Sequence, residues 1–350
     1  MGMNELTERQ KIILSLVIHE YIRTAGPVGS KSLVEQFHLG CSAATVRNEL
    51  AALTEMGYLH QPHTSAGRMP TEKGYRLFVS GLMRDREVPE ETRRRVEHQF
   101  SQVQSEMDGR MKLAASVLAD QANAISLVTA PLPRHTKLKH LALVSVTDRQ
   151  VLMILVLAGG QMQQRFLYLD HTVRQPELDR ITTELNGIFD GHTSEEIRRE
   201  RHLSEETDGT REEILRSLLT AMYEADTLQT GEVYTDGINN VLAEPEFAES
   251  ETARRSLRIL DEKPVLQQFL SRTTREQQIG GVQVFFGGEG ILKNLSNCSM
   301  VIARYGMQGQ MTGTIGVLGP MRMAYNKNIP TVRFLAGILS DLVADGMTAE

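Results

Sequence analysis

The stretch SAATVRNELAALTEMG, Ser42 to Gly57, restricts the fold more than any other part of the chain. A serine at its head caps a helix, a glycine at its end stops one, and Val46, Leu50 and Leu53 recur between them at i, i+4 and i+7. That spacing defines a single buried stripe. At 100° per residue from Val46, the opposite face collects Ala44, Arg47, Asn48, Ala51 and Glu55, with Thr45 on the flank. Small residues there let a backbone enter a DNA major groove, and Arg47 and Asn48 carry donors that pair with guanine and adenine edges or with phosphate. A plain solvated face is built from the same residue types. The helix by itself leaves both readings open.

Its neighbours narrow the choice. Thr7, with Gln10 three residues on, reads as a capping box, and Ile12, Ile13, Leu16, Val17 and Tyr21 then keep helical spacing until Gly26-Pro27. A second, short helix starts at Ser30, carries Leu33, Val34 and Phe37 on one face, and ends near His38 to Gly40. Three helices thus share one small core. After them YLHQPH reads as a short strand, TSAGR as a tight turn with Gly67 taking positive φ, and MP as the start of a return strand. This is the order of a helix-turn-helix followed by a β-wing. A wing lies beside the duplex, where His63, Thr64, Ser65 and Arg68 offer donors to the backbone or minor groove. Ser30 and Lys31, opening the second helix, are placed to hold phosphate through helix-end amides and an ammonium group. The candidate DNA-contacting set is therefore Ser30, Lys31, Ser42, Ala44, Thr45, Arg47, Asn48, His63, Thr64, Ser65, Gly67 and Arg68.

Composition admits this reading and excludes others. With 350 residues, 41% of them apolar, the chain has room for two or three domains, each with a core. The net charge of -6 averages over unequal regions: residues 1–87 carry 10 Lys and Arg against 9 Asp and Glu, the remainder 28 against 35. Tryptophan is absent and aromatics are 5%, which argues against stacking platforms for single strands. No apolar run reaches transmembrane length and the amino terminus lacks a signal pattern, so the cytoplasm is the expected compartment. Cys41 and Cys298 lie far apart with no spaced His or further Cys beside them, so they read as small interior residues rather than a disulfide or a zinc site.

Beyond residue 87 the pattern changes. Glu90 to about Ala124 reads as one or two long connecting helices, in which ETRRR, Glu91 to Arg95, has the charge to reach phosphate but, set among acids, reads first as a solvated face. HLALVSV, QVLMILVLA and QQRFLYLD follow as an antiparallel meander. Helical stretches occupy Pro176 to about Arg275, strands resume at GGVQVFFG, CSMVIARYG and GQMTGTIGVLG, and an apolar helix runs from about Ile329 to Val343. Strands on both sides of a helical block most simply form one α+β domain interrupted by a mainly helical insertion. The expected boundaries are 1–87 for the winged-helix DNA-binding domain, 88–175 for the linker helix and first part of the sheet domain, 176–275 for the insertion, and 276–350 for the second part. FFGGEG and GMQGQMTG read as hairpin turns, since neither has the spacing of a phosphate loop. His202, Glu205, Glu206 and Asp208 lie scattered in a charged loop, and no nucleophile, base and acid stand at interpretable spacing. No enzyme activity, cofactor or metal is expected.

The strings LTERQKIILSLVIHEYIRTAGPVGSKSL, SAATVRNELAALTEMGYLHQPHTSAGRMPTEKGYR and GPMRMAYNKNIPTVRFLAGILSDL resemble those of the heat-inducible transcription repressor family HrcA, from end to end of the chain. The resemblance implies a homodimeric repressor on an inverted-repeat operator upstream of chaperone operons, kept active by the chaperonin GroEL. It also implies that the sheet domain is GAF-like and that the insertion helps form the dimer. A ligand-sensing winged-helix regulator, with a small-molecule pocket in the GAF-like domain, is the alternative.

Overall fold

The computed structural model describes residues 6–64, 66–83, 87–103, 107–133, 135–158, 161–201, 209–228, 231–248, 250–251, 257–260, 266, 270, 278–287, 295, 297–308 and 310–348. It is an α+β chain of helices and antiparallel sheets, and no described helix is long and apolar enough to cross a membrane. Helix α1 (Glu8–Thr24) opens with the capping box, Thr7 accepting from the Gln10 amide and Gln10 from the Thr7 amide. It closes on Ala25 in the left-handed region, φ 55°. Helix α2 (Ser30–Phe37) and α3 (Ala43–Glu55) follow, the latter capped by Ser42 and buried along Val46, Leu50 and Leu53. Gly57, at φ +78°, turns the chain out of α3 into the strand β1 (Leu59–His60), which pairs antiparallel with β2 (Met69–Pro70). The bridge between Val28 and Arg68 attaches this ribbon to the segment between α1 and α2.

One stripe differs from expectation. Helix α1 buries Ile13, Leu14, Val17 and Ile18, whereas Ile12 is 54% exposed and Leu16 half-buried. Residues 12–14 and 16–18 are all aliphatic, with only Ser15 between them, so helical spacing alone fits two adjacent faces. The packing of α3, β2 and the turn at 78–82 against α1 selects between them.

After β2 the short helix α4 (Glu72–Leu77) and a wide turn at 78–82 lead to α5 (Glu90–Gln102) and α6 (Met107–Ala122). The main sheet is six-stranded. It comprises β3 (Ile125–Thr129), β4 (Leu132–Pro133), β8 (Val233–Asp236), β9 (Val282–Phe286), β10 (Cys298–Gly306) and β11 (Met311–Pro320), in the order β8-β3-β11-β10-β9 with β4 also on β11. Helix α6 and the last helix, α12 (Tyr325–Thr348), cover one face, placing Ala115, Leu118, Val332 and Leu339 in a core with Val128, Val301 and Val317. The other face packs Ile125, Leu127, Met300, Ile302 and Leu318 against Val241 of α10 (Ile238–Leu242), Phe247 of α11 (Pro245–Ala248) and Leu257. Packed on both faces, β10 is buried almost throughout and continuously apolar at residues 300–303, rather than alternating.

The meander does not share that sheet. Strands β5 (Leu138–Thr147), β6 (Gln150–Leu157) and β7 (Met162–Tyr168) form a separate three-stranded sheet, backed by α7 (Gln175–Phe189), α8 (Ser194–Arg201) and α9 (Gly209–Leu228) around a core of their own. The main sheet begins earlier, at β3, and takes β8 from the block expected to be helical, because Ser126–Thr129 pairs directly with Val233–Asp236. The chain therefore leaves the sheet before the meander, not after it. Apolar alternation reports that a strand has a buried face, not which sheet supplies its neighbours. Of ETARRSLRILDEKPVLQQFLS only Glu251, a 3₁₀ turn at Leu257–Leu260, Leu266 and Leu270 are described; His202, Glu205, Glu206 and Asp208 lie outside the described residues.

Candidate nucleic-acid interface

The roll of α3 follows from its stripe. With Val46 and Leu53 fully buried and Leu50 nearly so, Ala44, Arg47 and Asn48 stand exposed on the far side. The cap uses two of the polar groups expected to face outward. The Ser42 hydroxyl accepts from the Thr45 amide at 3.1 Å and lies 3.0 Å from the Thr45 hydroxyl, and Thr45 is half-buried. The acid of the second turn, Glu49, is drawn off the face: the Gln10 side-chain amide donates to it at 3.1 Å and Arg9 stands 3.7 Å away. Gln10 thus caps α1 through its oxygen and holds α3 through its nitrogen.

The nearby cations divide into two groups. Arg23 is paired with Glu20 at 2.7 Å, and that hydrogen bond, with a lesser one from Gln36 of α2, holds the Glu20 carboxyl below its ordinary range. Lys73 donates to the Met56 carbonyl at 2.8 Å and lies 4.4 Å from the Tyr58 ring, satisfying the carboxy-terminal end of α3. Lys31, exposed in the first turn of α2, and Arg47 have no ion-pair partner among the described residues. Ser30 is half-buried beside Lys31 and begins α2, as expected, with Gly29 at the N-cap position making no side-chain cap. These positions leave two fixed positive charges facing outward on adjoining elements.

The ribbon differs from expectation in two respects. Gly67 is not in the left-handed region; it is small because a Cβ there would lie 2.4 Å from the Val28 carbonyl oxygen. Val28 and Arg68 exchange both backbone hydrogen bonds, at 2.9 and 2.8 Å, and that close pairing needs the bare backbone. Arg68 is half-buried, its Nε donating to the Thr54 hydroxyl at 2.9 Å, so its guanidinium braces the ribbon on α3 rather than projecting from the tip. His63 and Thr64 are exposed at the tip, which the Gln61 side chain closes by donating to the Thr64 and Ala66 carbonyls, each at 2.9 Å. Ser65 lies outside the described residues. Gln10, Thr54 and Lys73 are the supporting residues that sequence reasoning missed; each acts across elements, and only the capping role of Gln10 has a local signature.

Several known proteins are similar to this chain. Residues 108–329 match the family model described as the HrcA protein C terminal domain. A heat-inducible transcription repressor HrcA from Roseiflexus castenholzii is 40% identical over 346 residues, covering 97% of this chain and 95% of that one. The proteins of the same name from Herpetosiphon aurantiacus and Thermomicrobium roseum are each 37% identical, covering 97% of this chain and 96% of theirs. Among solved structures, the crystal structure of a hypothetical protein, 21% identical, superposes with a TM-score of 0.58 over 97% of this chain and 99% of that one, a likeness of fold.

The Val28 contact makes Gly67 testable. Gly67→Ala should force the Val28–Arg68 pairing apart and cost about 1–3 kcal/mol, the range for overpacking, in chemical denaturation. An unchanged midpoint would show that the close approach is not maintained.

Proposed function

Because the chain belongs to the HrcA family of heat-inducible transcription repressors, we propose that α1–α3 and the β1–β2 ribbon form a winged helix whose α3 enters the major groove of an inverted-repeat operator. The family is one of repressors, not enzymes. The observation that carries the reading is the exposed face of α3, where Ala44, Arg47 and Asn48 stand clear while Glu49 is tied back to α1. Arg47 and Asn48 read base edges; Ala44 allows the close approach, and the Ser42–Thr45 pair presents its hydroxyls at the helix start. Lys31 and Ser30 hold backbone phosphate, with His63, Thr64 and Ser65 on the wing and Gly67 and Arg68 supporting it.

One winged helix is a weak reader, and two on a symmetric dimer raise the effective concentration of the second contact. The outer face of the β5–β7 sheet supports such a dimer. Val144, Leu152 and Phe166 lie in cross-strand register, and beside them Val146, Met162 and Tyr168 are 48%, 61% and 72% exposed. A contiguous apolar face of this kind marks an interaction surface. We assign the six-stranded sheet with α6 and α12 to a GAF-like domain, and residues 135–228 to an inserted dimerisation unit. Among the described residues, both faces of the main sheet are packed with aliphatic and aromatic side chains, which supports a structural rather than a ligand-sensing domain.

The protein acts in the cytoplasm on operators of chaperone operons, and GroEL maintains its activity. A chain whose excursion carries a separate core folds through intermediates that a chaperonin can bind, so stress withdraws active dimer by mass action.

Three measurements test these readings. Arg47→Ala should cost roughly 1–3 kcal/mol per half-site and relax preference at one base pair, while Lys31→Ala should weaken all duplexes alike and lower the salt slope by about one. Unchanged affinity and preference in the Arg47 variant would reject α3 as the reader. Phe166→Glu should convert the dimer to a monomer in sedimentation velocity without changing the far-ultraviolet spectrum, and a persistent dimer would move the interface elsewhere. Purified chaperonin should raise the active fraction in an operator-binding titration; no gain counts against its role.

A further inference from the structure

The tail segment beginning at Gly319 lies outside the proposed reading face, yet two kinds of contact join it to the helical unit. The first is aromatic. Tyr75 of α4, directly beyond the ribbon, is buried against Phe286 at the end of β9 and Tyr325 at the start of α12, with ring centroids 6.4 and 5.9 Å away, and Phe286 and Tyr325 are themselves 5.9 Å apart. The Tyr75 hydroxyl makes no hydrogen bond among the described residues, so this contact holds the two surfaces together by ring packing without a directional polar bond.

The second contact is directional. The Arg322 side chain, 11% exposed, donates from Nε to Glu246 at 2.6 Å and from Nη2 to Glu246 at 3.1 Å and to Glu244. Its remaining nitrogen, Nη1, points to the Ile22 carbonyl of α1 at 3.4 Å. That carbonyl belongs to the last turn of α1, where oxygens lack intrahelical partners and the helix dipole is negative. Glu244 and Glu246 orient the guanidinium, and the guanidinium receives the end of α1. A planar fork held by two carboxylates has one orientation. Added to the apolar and aromatic packing that joins the two units, this clasp supplies their directional polar contact.

We propose that Arg322 is a positioning residue: clasped by Glu244 and Glu246, it fixes the angle at which the helical unit is carried on the six-stranded sheet, and so the half-site spacing that the dimer accepts. The inference rests on the dimeric DNA-binding reading above, since half-site spacing is a geometric property of two readers on one frame.

The experiment uses the full-length protein and a DNA inverted repeat that it selects from a randomised duplex pool. Binding is measured to that duplex, to versions with the spacer changed by one to four base pairs, and to a single half-site, for wild type, Arg322→Gln and Arg322→Lys. Wild type should lose at least about tenfold in affinity off its preferred spacing. Arg322→Gln should lose under about threefold across the series while its half-site affinity and dimer mass stay unchanged, and Arg322→Lys, which keeps the charge without the fork, should fall between. Wild-type discrimination in Arg322→Gln, or one factor lost equally at every spacing and on the half-site, overturns the proposal. If Arg322→Gln does not unfold cooperatively, Arg322→Lys is judged by the same criterion, and failure of both to fold makes Arg322 a folding residue and overturns it. Should wild type select no repeat, or bind repeat and half-site alike, the dimeric reading itself fails and takes the clasp with it.

Discussion

Burial of Val46, Leu50 and Leu53 leaves α3 one way to roll, and the outward face of the helical unit depends on that constraint. Each such side chain contributes about 1.5–3 kcal/mol when fully buried, so exposing all three would offset much of a typical domain stability of about 5–15 kcal/mol. The polar contacts on the same helix are individually weaker and act on detail. The Gln10 bond to Glu49 removes a carboxylate from the exposed side, and Arg68 on Thr54 sets how the ribbon leans. Hydrophobic burial orients the helix; hydrogen bonds select which charges it shows.

The helical unit has no sharp energetic boundary with the rest of the chain. Its core, from Leu14 through Leu53 to Tyr75 and Phe78, runs on through Phe286 and Tyr325 into the core between the main sheet and α12. Tyr75 is buried deeply enough that desolvation pushes its phenol well above the usual range. The excursion between β4 and β8 is joined differently. Its entry and exit are tied at Asp226, which accepts from the Thr136 amide at 2.6 Å and from the Thr136 hydroxyl at 2.7 Å, with Ser194 and His135 each at 3.3 Å. A buried carboxylate so fully supplied with donors closes the excursion on itself and lets it keep a separate core.

Local order was legible wherever the signal was local. The capping box at Thr7 and Gln10, the Ser42 cap, the α3 stripe, the turn at Gly57, the short ribbon and the late strands all lie where spacing and turn chemistry put them. So does the exposure of Ala44, Arg47 and Asn48. What was misread involved a choice among partners. Helix α1 is apolar on two adjacent faces and buries the one its neighbours cover, leaving Ile12 outside. The meander has the alternation of any half-buried sheet, which suits a separate sheet as well as a shared one. Gly67 is required by an approaching backbone rather than by its own dihedral, and nothing near it in sequence announces Val28.

By itself the sequence determined the helices of the first sixty residues, the meander and the late strands, though not β3, β4 or β8, and it determined which face of α3 is apolar and which family strings the chain carries, because each is set by residues a few positions apart. Tertiary structure alone decided that β3 rather than the meander starts the main sheet, that Arg68 turns inward to Thr54, and that Arg322, 300 residues from Ile22, reaches its carbonyl. Those outcomes depend on which distant surfaces bury one another and where a polar group then finds its partner. Neither quantity is written in any short stretch of chain.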